Sequence, residues 1–311
     1  MTLGTHIRLT LACSLLLLAL STWGAGQVHG LTLLLSEPGG VYQEAAERLR
    51  DDLLVSGEPG FQVRIQNQAE RSGPGGEALL VAFGVKALRT ALTSRSNAPI
   101  LALMVPRQSY EALAGEHAAA RGRMVTAIWL DQPYGRQLAL LRAALPQVKR
   151  VGVLAGEASK SQTDEIVRAG ESLQLRVSPR LVGASGEVFT ALADFEREVD
   201  ALLLIPDPLV VNRATLQSLM LNTYHQRLPV LAYSESLLRS GALLALYATP
   251  RQVGQEGAVA IRAIFQRGEP RLPPPAYTRA LTVKLNWSVA RSLGFNPPSE
   301  AELTARLETA P

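Results

Sequence analysis

The sequence is poor in the residues that build disulfides, metal sites and aromatic surfaces. Its 311 residues include one cysteine and four histidines, and aromatic residues make up only 5%. A single thiol excludes a disulfide framework and any site made of several thiolates. With so few histidines as well, we expect no metal site and no cofactor held by these residue types.

Motifs for catalysis and for nucleic-acid binding are also missing. The chain has no GxSxG, no GxGxxG after an apolar run and no phosphate-binding loop. Its 31 Lys and Arg exceed its 27 Asp and Glu by only 4, and they form no basic block. Nucleic-acid binders usually concentrate their basic residues, so we expect no nucleic-acid partner. The absence of catalytic motifs favours a binding protein over an enzyme.

The first thirty residues have the pattern of an export signal. They contain one Arg or Lys, Arg8, and no carboxylate, followed by an apolar run at residues 9–20 and small residues at 24–26. This predicts a signal peptide over residues 1–26 and, after cleavage, a protein in the periplasm. Cys13 lies inside the apolar run and not at its end, which argues against a lipoprotein. An uncleaved membrane anchor is the alternative.

Short apolar runs alternate with amphipathic segments through the rest of the chain. The predicted strands cover residues 31–35, 61–65, 79–83, 100–105, 125–130, 151–154, 173–177, 201–205, 230–233, 242–247 and 281–285. The predicted helices cover residues 41–54, 134–145, 164–173, 188–199, 213–226 and 252–265. Strands that are apolar on both faces and alternate with helices predict an α/β fold with parallel sheets.

The strand–helix pattern pauses near residues 129–133 and then begins a second, comparable series. We therefore predict two doubly wound parallel-sheet lobes joined by a hinge. The first lobe would contain residues 31–130 together with 250–280, and the second residues 131–249. Residues 281–311 are expected to cross back at the hinge, and the sequence does not decide which lobe they join.

Polar and small residues follow several predicted strands, where ligands bind in open α/β sheets. The candidate ligand-binding residues are Ser36, Tyr42 and Gly84 in the first lobe and Asp207, Ser234 and Glu235 in the second. Each has a structural alternative. Asp207, which precedes a proline, and Ser234 are suited to capping helices. Gly84 suits a tight turn, and Tyr42 belongs either to the core or to the wall of a cleft.

The segment 201–250 carries a series of motifs that resembles one protein family. It contains IPDP at 205–208, NRATLQ at 212–217, RLPV at 227–230, AYSE at 232–235 and GALLALY at 241–247. These resemble the ABC transporter substrate-binding proteins, which have two lobes of the type I periplasmic-binding fold. The similarity covers roughly residues 125–294. It is specific in the second lobe and looser in the first.

The resemblance implies two lobes that close on a small molecule. We expect the protein to be a monomer that delivers this molecule to the membrane permease of an ABC transporter. Some relatives bind amino acids, so an amino acid or a similar zwitterion is the expected ligand, with Asp207 and then Glu235 as partners of its ammonium group. We expect Asp207→Asn to weaken ligand binding without changing the melting temperature. The chain departs from the family where Gly84 and Lys86 replace a polar Thr/Ser pair. After the fourth strand, Arg107 is available for an anionic ligand, although an exposed side chain is expected there.

Two other functions remain open at this point. The first is a periplasmic interaction or sensory protein of the same fold, which would dock to an envelope receptor or kinase. The second is an α/β enzyme. Saturable solute binding, capture of an envelope partner and turnover would distinguish the three.

Overall fold

The computed structural model describes residues 28–55, 60–71, 76–121, 124–195, 197–266 and 270–309. The predicted signal peptide and Cys13 lie outside these ranges. No helix in the described ranges is long and apolar enough to span a bilayer.

The first lobe is built on a six-stranded sheet in which every pair of neighbouring strands is parallel. Its strands are β1 (His29–Leu35), β2 (Phe61–Asn67), β3 (Leu79–Phe83), β4 (Ile100–Val105), β5 (Val125–Trp129) and β11 (Ala276–Tyr277), in the order β11-β5-β4-β3-β1-β2. All residues of β3 and β4 are buried. Burial on both faces explains why these two strands are continuous apolar runs without alternation.

Helices cover both faces of this sheet. Helices α1 (Gly40–Val55) and α9 (Pro250–Phe265) pack on one face, and α2 (Val85–Thr93) and α3 (Arg107–Arg121) pack on the other. Helix α9 therefore comes from far along the chain to complete a core that starts with β1. A Cβ at Gly254 would meet the main chain of α1, so the two helices approach more closely than a larger residue would allow.

The second lobe repeats this architecture. Its strands are β6 (Arg150–Gly156), β7 (Arg176–Val182), β8 (Ala201–Leu203), β9 (Val230–Ala232), β10 (Leu244–Tyr247) and β12 (Thr282–Leu285), in the order β12-β10-β9-β8-β6-β7. All pairs are parallel except β10 with β12. One face carries α4 (Tyr134–Ala144), α5 (Lys160–Ser172), α10 (Trp287–Leu293) and α11 (Glu300–Glu308); the other carries α6 (Val188–Ala193), α7 (Leu216–His225) and α8 (Glu235–Arg239). The predicted fold class, α/β with two mostly parallel sheets, is confirmed.

One predicted strand is displaced. The sequence predicts a strand at residues 173–177, but Leu173 ends α5, donating its N–H to the Gly170 carbonyl at 2.9 Å, and β7 runs from Arg176 to Val182. Pro179 interrupts the apolar pattern of that strand. It is tolerated because β7 is an edge strand, where a missing N–H breaks no second ladder.

The chain passes between the two sheets three times within the described residues, after β5, after β10 and after β11. The passing segments contact one another. Gln132 donates to the Ala280 carbonyl at 2.8 Å, and Gln252 donates to the Leu281 carbonyl at 3.2 Å. These side chains hold three separate backbone segments together at the junction of the lobes.

Candidate functional site

Segments that follow the carboxyl ends of the two sheets contact each other at the junction of the lobes. Arg107, the first residue after Pro106 at the end of β4, places its Nη1 2.8 Å from the Glu165 carboxylate on α5. The Gln108 side chain donates to the Ala158 carbonyl. It also accepts a hydrogen bond from the Ser159 hydroxyl, with 3.3 Å between Ser159 Oγ and Gln108 Oε1. These contacts join the end of β4 in the first lobe to the loop and helix that follow β6 in the second. Both segments follow the carboxyl ends of parallel strands, which is the edge where open α/β sheets bind ligands.

In the first lobe the structure brings Ser36, Tyr42 and Gly84 together. Ser36 is buried, and its hydroxyl accepts the N–H of Ala87 at 3.0 Å, which caps the start of α2. Gly84 has φ +90°, and a Cβ there would lie 2.6 Å from both the Ser36 hydroxyl and the Tyr42 ring. A side chain at position 84 would have to displace one of them, so glycine is required by both the backbone angle and the space. Burial, followed by the charge of Glu37, raises the pKa of Tyr42.

In the second lobe, Asp207 is buried and its carboxylate accepts three main-chain hydrogen bonds. Oδ2 accepts from Gly156 at 2.7 Å, and Oδ1 accepts from Leu209 at 2.8 Å and from Val210 at 3.2 Å. This carboxylate joins the end of β6 to the turn that follows β8. The Asp207 side chain thus supplies acceptors for main-chain N–H groups that have no strand or helix partner here.

Ser234 and Glu235 follow β9 in the same lobe. The Ser234 hydroxyl accepts the N–H of Leu237 at 3.3 Å and caps the short helix α8. Glu235 is exposed and forms an ion pair of 2.8 Å with Arg239, one turn later on α8. The helix cap that the sequence offered for Ser234 is present. Asp207 caps the turn after β8 and not a helix, because the next helix, α7, begins only at Leu216. Glu235 already has a cationic partner.

A group of side chains that we call the Arg107 cluster occupies the junction of the lobes: Arg107, Glu111, Trp129, Glu165 and Tyr277. The Arg107 guanidinium contacts the Glu111 carboxylate at 2.8 Å, the Glu165 carboxylate at 2.8 Å and the Tyr277 hydroxyl at 2.5 Å. Its Cζ lies 5.4 Å from the centre of the Trp129 ring and 5.6 Å from that of Tyr277. The two rings meet edge to face at 4.9 Å. Arg107 is thus half-buried and paired, where the sequence favoured an exposed side chain.

Burial and neighbouring charged groups shift the pKa values of Arg107 and Asp131 at this junction. Burial disfavours the charge of Arg107, but Glu111, Tyr277 and Glu165 together raise its pKa. Burial raises the pKa of Asp131, although the Arg107 N–H, 2.5 Å from its Oδ2, opposes this rise. Guanidinium groups stay protonated in proteins, so Arg107 is a permanent cation at the junction of the lobes.

Tyrosines extend this region into the second lobe. Burial, with Asp131 and then Asp207 nearby, raises the pKa of Tyr233 to about 12. Burial also raises the pKa of Tyr134, whose hydroxyl donates to Gln162. Both side chains therefore stay neutral at physiological pH and offer a hydroxyl to the junction.

Comparison with known proteins identifies the family. The family model for the ABC transporter substrate binding protein matches residues 65–305. The chain belongs to this family. The ABC transporter substrate-binding proteins are not an enzyme family, and membership implies a small-molecule ligand and an ABC permease as partner. A search of curated proteins finds no match to the chain.

Solved structures share the fold of this ABC transporter substrate-binding protein at low sequence identity. A Streptococcus pneumoniae domain in complex with L-Trp is 17% identical with a TM-score of 0.62, covering 90% of this chain and 98% of that one. A ligand-free, open substrate binding protein with adhesive properties from Clostridium difficile is 16% identical with a TM-score of 0.69, covering 88% and 97%. A conserved domain protein from Vibrio cholerae is 17% identical with a TM-score of 0.61, covering 90% and 98%. At these identities the likeness establishes the fold.

Sequence reasoning found the strand ends but missed most of the Arg107 cluster. Trp129 and Tyr277 are far apart in the sequence and become neighbours only when β5 and β11 pair in the first sheet. Glu165 joins them only when the two lobes come together. The sequence therefore marks neither these residues nor Glu111 as site residues. Arg107 was noted because it directly follows a buried strand. That position, next to Pro106, was the one local signal for the cluster.

Proposed function

We propose that this substrate-binding protein is exported, captures a small molecule between its two lobes and delivers it to the permease of an ABC uptake system. The observation that carries the proposal is the contact between segments that follow the carboxyl ends of both sheets, in a chain that belongs to the family. The three chain segments between the lobes are suited to a hinge that opens and closes a cleft there.

Closure would follow from differential affinity. A ligand that contacts both lobes binds the closed form more tightly than the open form and so raises the closed population. Ser36, Tyr42 and Gly84 are the proposed wall of the first lobe. Asp207 and Ser234 are proposed to form the opposite wall, with Glu235 at its rim. Because Asp207 already accepts three N–H groups, any contact with an ammonium group would use its remaining lone pairs.

The ligand is proposed to be an amino acid or a similar zwitterion. Native mass spectrometry of the protein purified from its own periplasm is the direct test, since a tightly bound solute co-purifies. The solute found should then raise the melting temperature and shrink the particle in small-angle scattering. Tight binding with no change in dimensions would contradict closure, and capture of an envelope protein with no solute bound would favour an interaction or sensory role.

Export has its own test. The mature protein should begin between residues 25 and 31 when its N-terminus is sequenced, because cleavage follows the small residues at 24–26. A mature chain that still carries residues 9–20, or a lipid on Cys13, would contradict cleavage.

A further inference from the structure

The Arg107 side chain makes the same kinds of contact that a bound organic cation makes in a protein. Two aromatic rings lie within 5.6 Å of its Cζ, and two carboxylates lie 2.8 Å from its nitrogens. Aromatic faces and carboxylates are the groups that proteins use to bind guanidinium and ammonium ions. The Arg107 guanidinium lies over both rings, which also contact each other edge to face.

The surroundings carry more negative than positive charge. Glu111 and Glu165 both pair with Arg107, and the Asp131 carboxylate accepts its main-chain N–H. Three carboxylates thus surround one cation. An anionic solute would meet net negative charge here, whereas a cationic group would be attracted.

One polar atom of the cluster has no partner. The indole N–H of Trp129 is buried and has no hydrogen-bond acceptor among the described residues. Buried donors normally find an acceptor, because an unpaired one destabilises the folded state. The cluster is therefore incomplete as a structural unit, and a molecule that brought an acceptor beside Trp129 would complete it.

We propose that the Arg107 cluster is a cation subsite of the cleft, which the protein's own Arg107 occupies when no solute is bound. The solute would carry a guanidinium or alkylammonium group that displaces Arg107 from the rings, and an acceptor atom for the Trp129 N–H. This inference rests on the proposed solute-binding function and names the class of solute.

The position of the subsite links its occupation to closure. Trp129 and Tyr277 belong to the sheet of the first lobe, and Glu165 belongs to α5 of the second. A cation between them therefore attracts one lobe to the other. Arg107 makes this bridge in the structure described, and a cationic solute would make it in its place.

The test removes the internal occupant and offers small substitutes. Ethylguanidinium is titrated calorimetrically into wild type and into Arg107→Ala, with ethylurea as a neutral probe of similar shape. We expect Arg107→Ala to bind ethylguanidinium about ten-fold or more tightly than wild type, and ethylurea to bind neither. Adding Glu165→Gln to Arg107→Ala should weaken ethylguanidinium binding by a similar factor, because the second-lobe carboxylate is lost.

Arg180 provides a matched control. It too pairs with a carboxylate, Glu198 at 2.7 Å, and lies 5.4 Å from one ring, Phe195, but it is on the edge strand β7. Arg180→Ala should bind ethylguanidinium no better than wild type. Circular dichroism establishes that each variant is folded. If Arg107→Ala does not fold, Arg107→Lys replaces it, since the shorter side chain leaves the rings partly free and should still bind the probe more tightly than wild type.

Three results would overturn the inference. Arg107→Ala and wild type could bind ethylguanidinium equally tightly, or Arg107→Ala could bind ethylurea as tightly as ethylguanidinium. The third is that adding Glu165→Gln to Arg107→Ala leaves ethylguanidinium binding unchanged. The proposed function fails separately. If the co-purified solute is neutral or anionic and binds Arg107→Ala as it binds wild type, solute binding stands and the cation subsite falls. If wild type binds no solute while Arg107→Ala binds ethylguanidinium as expected, the cluster binds a cation, but the uptake function falls and the assigned class of solute falls with it.

Discussion

Replacing Asp207 by asparagine separates a structural role from a ligand-binding role. From the sequence, this change should weaken ligand binding and leave the melting temperature unaltered, since asparagine keeps one capping oxygen. The structure changes that expectation. Both carboxylate oxygens accept main-chain N–H groups, Oδ2 from Gly156 and Oδ1 from Leu209 and Val210. The single oxygen of an asparagine can accept either from Gly156 or from Leu209 and Val210. Its NH2 group must then face the remaining N–H donor or donors.

The cost can be worked from these contacts. The least disruptive orientation keeps the oxygen on Leu209 and Val210, so the NH2 group faces the Gly156 N–H, which lies 2.7 Å from Oδ2. A hydrogen bond to a charged group contributes about 1.5–3 kcal/mol, and a buried donor left unpaired costs about 1–3 kcal/mol. These contributions overlap, so we expect Asp207→Asn to lower the free energy of unfolding by about 2–4 kcal/mol.

Urea unfolding followed by circular dichroism measures this loss. Asp164→Asn, which changes an exposed carboxylate on α5, is the control and should stay within about 0.5 kcal/mol of wild type. If Asp207→Asn unfolds at the wild-type urea concentration but binds the identified solute about ten-fold more weakly, the carboxylate serves the ligand and our structural assignment is refuted.

Three further changes have defined outcomes. Backbone strain at φ +90° alone should make Gly84→Ala lower the free energy of unfolding by about 1–3 kcal/mol. The added methyl group would also push the Tyr42 ring aside. Urea unfolding measures the loss. The ion pair between Arg107 and Glu165 should keep a share of the solute-free molecules closed, so Arg107→Ala should enlarge the solute-free particle in small-angle scattering. An unchanged radius of gyration would mean that this pair does not contribute to closure. Burial would raise the pKa of Asp200, but hydrogen bonds from Arg150 and the main chain outweigh burial and lower it. Asp200→Asn should therefore be less stable than wild type at pH 7, and the difference should shrink as the pH falls below about 4, the ordinary aspartate value; a gap in urea midpoint that persists at pH 2 would contradict this.

The sequence predicts most of the fold because its strongest signals are local. The apolar runs that become β3 and β4 are buried on both faces, so their composition alone marks them as central strands. The error at β7 arises where a local signal misleads. Leu173 is apolar but ends a helix, and Pro179 sits in an edge strand that tolerates it.

The site is predictable only in part, and for a physical reason. Each strand end is visible in the sequence, so Ser36 and Gly84 can be placed at one edge of a sheet. Which polar atoms already have partners is not visible, because the three N–H groups on Asp207 come from the end of β6 and from the turn after β8. The meeting of Arg107 with Glu165 depends on how two separately built lobes approach each other.

The packing of α9 against α1 has a consequence for how the chain is made. During synthesis, β1 and α1 appear first, but the helix that covers them, Pro250–Phe265, appears roughly two hundred residues later. The second lobe also waits, since β12, Thr282–Leu285, completes its sheet edge near the end of the chain. Neither lobe can finish its core while the last sixty or so residues are missing. A chain that terminates before residue 250 should thus have two incomplete lobes that proteases cleave readily. A chain that crosses a membrane before it folds would complete neither core until its last residues had crossed.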